Sequence, residues 1–145
     1  MSNADTIKSL TDNVQTVLQD SLGIKFERQN LEDIKDIAAS KFPFGGFFDV
    51  GTEFDETHGE RASYGVQSYL IWVVFKERDN AGRMRKSQEW RQLIRSGLTT
   101  NALNIGDLSA SKLVSWVDTT ETDIDQRDDG LSVLNYTVGI RYREL

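Results

Sequence analysis

A chain of 145 residues, 38% hydrophobic and 28% charged, has the proportions of a single soluble domain able to bury roughly two-thirds of its unfolded surface. It contains no cysteine, which excludes disulfide frameworks and thiolate metal sites. A net charge of −6 argues against general binding to nucleic acid, because neutralising phosphates takes clustered Lys and Arg.

The elements follow in chain order. Ile7, Leu10, Val14, Val17, Leu18 and Leu22 recur at helical spacing, with Asp5 placed as an N-cap and Gly23 just past the end. This predicts an amphipathic first helix lying on an apolar surface. Ile24 to Arg28 reads as a short strand, and Leu31, Ile34 and Ile37 as a brief helix or turn before Pro43, the single proline. Phe44 to Phe54 alternates loosely, with Gly45 and Gly46 at its start and Gly51 within it, and glycines in a strand mark bulges or close backbone approach. A polar loop from Asp55 to Arg61 leads to Val66–Phe75, which is apolar on both faces and is therefore expected to be covered on both, by helices or by another subunit. The longest apolar run, Tyr69 to Phe75, is strand-sized. No run of membrane-spanning length and no charged-then-apolar leader occurs, so the expectation is a protein made in the cytosol, with no membrane partner.

Arg78 to Gly97 reads as a second helix, with Met84, Trp90, Leu93 and Ile94 available to pack. Gly97 to Gly106 is a polar connection, and Leu113 to about Asp125 a strand with Val114 and Trp116 on one side. An acidic turn then feeds the last strand, in which Leu134, Tyr136, Val138, Ile140 and Tyr142 alternate with Asn135, Thr137, Gly139, Arg141 and Arg143. Strict alternation of this kind puts one face on a core, so the chain is expected to end inside its own sheet. No repeat or composition break divides the sequence. The fold class is α+β: one domain over 1–145, with a mainly antiparallel mixed sheet flanked by an N-terminal helix and a second helix after the central strand.

Charge is unevenly spread. Lys76 to Arg95 holds seven basic residues against three acidic, whereas Asp118 to Gly130 sets six acids against Arg127 alone. One basic and one acidic patch suit pairing with charged protein surfaces, including copies of the same chain. Catalytic signals are missing by comparison. His58 is the one histidine, and with no second His and no Cys it makes neither a zinc set nor a serine triad. The run from Asp123 fails as a calcium loop, having Asp128 where Gly is required and Leu134 where Glu is required. Gly45-Gly46 is followed by no Lys-Ser/Thr and opens no helix, which rules out a phosphate loop. Neither a metal nor a cofactor is expected.

Phe42-Pro43-Phe44-Gly45-Gly46-Phe47-Phe48 runs through Gly51-Thr52-Glu53-Phe54 and a polar loop into the long strand Gln67–Phe75. This resembles the tail-terminator proteins of long-tailed bacteriophages, the group typified by the lambda tail terminator. Arg127-Asp128-Asp129-Gly130-Leu131, the strand Leu134–Tyr142 and Glu144 are similar to that family's acidic turn and closing strand. The likeness is strongest over 42–76 and 123–145. It implies a non-enzymatic virion protein of the tail or neck: a homohexameric ring that caps the tail tube, ends its polymerisation and presents a surface to the head-tail connector or stopper.

Within that frame Asp123, Asp125, Asp128 and Asp129 are candidates to face the lumen, where carboxylates would let DNA pass without specific binding. Arg83, Arg85 and Lys86 are candidates to contact the tube protein or a neighbouring subunit. Two other readings stand beside this one. The first is another neck component, such as a head-completion or stopper protein. The second is a small ligand-binding or enzymatic α+β domain with an apolar pocket.

Overall fold

A computed structural model describes residues 3–28, 43–55, 64–77, 79–108, 114–126 and 131–143. Helix α1 spans Asn3–Leu22 and is followed by strand β1, Lys25–Arg28. Its apolar residues do what their spacing predicts: Leu10, Val14, Leu18 and Leu22 are all buried. The helix starts earlier than a cap at Asp5 would allow, so that Asp5 lies in the first turn, where a carboxylate favours the positive end of the helix dipole. Gly23 closes the other end at φ +63°, its N–H donating to the Gln19 carbonyl at 3.1 Å. The expected turn around Leu31, Ile34 and Ile37 and the polar loop through His58 lie outside the described residues.

Strands β2 (Phe44–Asp55) and β3 (Tyr64–Lys76) pair antiparallel, and helix α2 (Asn80–Gly97) follows. A short helix α3 (Thr100–Leu103) and a 3-10 turn (Gly106–Leu108) then lead to β4 (Val114–Gln126) and β5 (Leu131–Arg143). The sheet has the order β1-β2-β3-β5-β4, with β1 parallel to β2 and every other pair antiparallel. This is the mixed, mainly antiparallel α+β sheet that the pattern predicts. Strands β3 and β5 form its centre, paired without interruption from Tyr64↔Arg143 to Lys76↔Leu131.

The two apolar faces of β3 have different fates. Tyr69, Ile71, Val73 and Phe75 join Leu134, Tyr136, Val138, Ile140 and Tyr142 in the main core, under α1, the end of α2, and Leu103 and Leu108. On the opposite face Trp72 and Val74 form a second cluster with Phe44, Leu131 and Val133. Burying a side chain of this size stabilises the fold by about 1.5–3 kcal/mol. A few polar contacts fix the helical layer over the sheet. The Thr11 hydroxyl and the Tyr69 phenol share a hydrogen bond of 2.7 Å, and Asn13 Nδ2 donates to the carbonyls of Leu103 and Ile105. Asn104 clasps Val114 at both backbone groups, which ties the connection after α2 to the start of β4.

Three local readings change. Gly97–Gly106 is not wholly irregular, because Thr99 caps α3 by accepting from the Ala102 N–H, and Leu98 and Leu103 are buried. Met84 and Leu93 do not pack inward on α2; Arg83, Ser87 and Ile94 hold the buried positions. Val114 and Trp116 do not share a side of β4. A register shift between them sets Val114 opposite Tyr142 and Trp116 opposite Arg141, neighbours on β5 that belong to opposite faces.

Candidate functional site

Charged residues of two elements, α2 and β4, carry the sequence-based expectations. On α2 the helix opens on Asp79, whose carboxylate accepts from the Gly82 N–H at 3.2 Å. Arg83, one turn in, is 9% exposed. Its Nε donates to Ser132 Oγ at 2.7 Å, one terminal nitrogen to Asn80 Oδ1 at 2.7 Å, and the other to the Glu77 carbonyl at 3.5 Å. The guanidinium therefore joins the end of β3, the first turn of α2 and the start of β5. This takes Arg83 out of the candidate contact set, because its hydrogen-bonding fork is already engaged inside the subunit.

Lys86 is half committed. Its ammonium lies 3.4 Å from a Glu77 carboxylate oxygen and 3.3 Å from the Lys76 carbonyl, to which it donates. Arg85 is exposed, as is Arg95, while Arg91 is half-buried with its Nε donating to the Ser87 carbonyl at 3.4 Å. Met84 stands among them at 60% exposure. The outward basic surface of α2 is thus Arg85 and Arg95 with an apolar neighbour, rather than the trio that sequence clustering suggested. Helical phase would have shown this: positions 83, 87 and 94 repeat near one angle, and 85 lies across the helix from them.

The acidic segment divides. Asp128 and Asp129 lie outside the described residues, and Asp123 and Asp125 belong to β4. The register sets Asp123 opposite Asn135 and Asp125 opposite Val133. It also sets Asp118 opposite Gly139 and Glu121 opposite Thr137. These four partners alternate along β5 out of phase with Leu134, Tyr136 and Val138, so they share the face opposite the helical layer. A bulge between Thr119 and Glu121 makes this possible. Strict alternation from Asp118 would place Asp118 and Glu121 on opposite faces, and the extra residue restores their phase. The sequence reading counted Asp118 and Glu121 in the acidic segment but left them out of the candidate lumen set.

Among the described residues no group of three or more His, Cys, Asp or Glu could hold a metal ion. No described helix is long and apolar enough to cross a membrane.

No family model matches the chain, and no curated protein matches it. Among solved structures it is similar to a chain of one described as the virion of a native gene transfer agent particle. The TM-score is 0.59 at 7% identity, over 93% of this chain and 92% of that one. At such low identity the likeness is one of fold. It extends, however, over nearly the whole of both chains.

Proposed function

We propose that this protein is a non-enzymatic structural component of a phage-like virion, a tail terminator. Six copies form a ring on the end of a completed tail tube, stop its polymerisation and offer a joining surface to the head connector. The observation that carries the reading is the likeness of fold, over 93% of the chain, to a chain from the virion of a gene transfer agent particle. The sequence resemblance over 42–76 and 123–145 adds the terminator role to that broader one. In such a ring the face of β4 and β5 opposite the helices lines the channel, with Asp123 and Asp125 on it. DNA passes along this wall without adhering. Arg85 and Lys86 serve a protein contact, either with the tube or with a neighbouring subunit.

Light scattering over a concentration series, with negative-stain images of the same sample, tests the ring. The expected result is a particle near six times 16.4 kDa. Incubation with growing tail tubes then separates a terminator from another neck component. A terminator arrests elongation at one end, whereas rings that leave elongation unchanged would reassign the chain to the portal side of the neck.

A further inference from the structure

We infer that neighbouring copies of this chain dock through the β2 bulge of one subunit and the outer face of α2 of the next. The inference rests on the ring reading above and identifies the surfaces that would build the ring. Val50 and Met84 are the two most exposed large apolar side chains among the described residues, at 49% and 60%. Val50 stands between Asp49 and Glu53, both exposed, and Met84 lies beside the exposed Arg85, with exposed Glu89 one turn beyond Arg85 and exposed Arg95 three turns along the Met84 face. Both anchors are apolar, and the acids beside Val50 are complementary in charge to the arginine beside Met84.

The two patches cannot satisfy each other within one subunit. Gly51, next to Val50, pairs with Ser68 of β3, and α2 begins only after Lys76. Eight residues of strand separate those levels, roughly 26 Å at the rise of a β-strand. Moreover, α2 packs chiefly on α1 and β5, not on β2. Two different patches on one molecule make a heterologous contact, which closes into a ring when the rotation per subunit allows it.

The form of β2 favours side-chain docking over strand addition. Strand β1 pairs with Phe44 to Phe47 only, so among the described residues the outer edge of β2 beyond Phe47 meets no other strand. That edge is broken by the register shift between Asp49 and Gly51. Gly51 holds φ +121°, and its N–H donates to Asp49 Oδ1 at 2.7 Å. Bulges interrupt the regular ladder that another strand would need. Here the bulge presents Val50 outward instead.

The absence of native cysteine makes a direct test available. A chain carrying both Val50→Cys and Met84→Cys is treated with a short bis-maleimide cross-linker, beside each single variant and with mass measured by light scattering. The expected result is a ladder of covalent oligomers from the double variant and nothing beyond dimer from either single one. In parallel, Arg85→Glu should raise the concentration needed for assembly about tenfold, and Glu53→Arg in the same chain should restore it. Rings that yield no ladder would overturn this contact and leave the ring standing. A monomer at every concentration that yields no ladder would overturn both.

Discussion

Arg83 shows how one residue can be misassigned by charge alone. In sequence it belongs to a basic cluster; in the fold it is buried and hydrogen-bonded to Ser132, Asn80 and the Glu77 carbonyl. Those acceptors sit just after β3, on α2 and on β5, so the side chain acts as a structural clamp. Arg83→Met keeps the volume of the stem and removes the fork. It should lower stability by about 1.5–3 kcal/mol, the range for hydrogen bonds to a charged group, as a shift of the urea midpoint with an unchanged slope. Arg85→Met, on the exposed side of the same helix, should move the midpoint little. A second test concerns Gly45, where a Cβ would come within 2.8 Å of the Phe26 ring. That ring stacks on Phe47 at 5.4 Å and 7° between planes, inside the main core. Gly45→Ala should therefore cost about 1–3 kcal/mol through displacement of the stack, visible as a lower thermal midpoint.

At the scale of whole elements, β4 depends on its bulges. Val117 sits opposite Ile140 and packs against the main core, and Ile124 is opposite Leu134. Both positions are on the helical side only because one residue is extra between Thr119 and Glu121. Deleting Thr120 should force one half of the strand out of phase, withdrawing Val117 from the core at a cost of about 1.5–3 kcal/mol. Equilibrium unfolding would register the loss, and an unchanged midpoint would mean that the bulge is incidental. The same element marks the limit of what was legible in the sequence. The first helix, the bulge at Gly51, the doubly apolar β3 and the alternating β5 could all be read, because burial on a regular element imprints its period. Bulges in β4 could not, since an inserted residue breaks the period that makes a strand readable. The inward position of Arg83 was legible from helical phase alone, against the expectation set by its charge, as charged residues are rarely buried unless their groups are paired. The pairing of β5 with β3, across α2 and β4, came from tertiary contacts that no local pattern encodes.

On the scale of the whole molecule, the sheet separates two kinds of surface. One side carries the helical layer, with Arg85 and Arg95 at its exterior; the other has Asp118, Glu121, Asp123 and Asp125 in register on one β-face. If that face lines a channel in a ring of six, each carboxylate is repeated by symmetry, and a DNA rod on the axis meets negative charge from every direction. Repulsion from all sides has no lateral preference, so it keeps the duplex centred without supplying a site where it could bind. Changing Asp123, Asp125, Asp128 and Asp129 together to Asn retains size and polarity while removing the repulsion. Rings of this variant should assemble with unchanged mass, but DNA should leave the particle more slowly, as measured by ejection from purified virions. The defect should shrink as salt rises from about 0.05 to 0.5 M, because ions that shorten the Debye length screen the wild-type wall as well. Equal ejection rates at low salt would place these residues away from the channel. A failure to assemble would instead assign them to a contact between subunits.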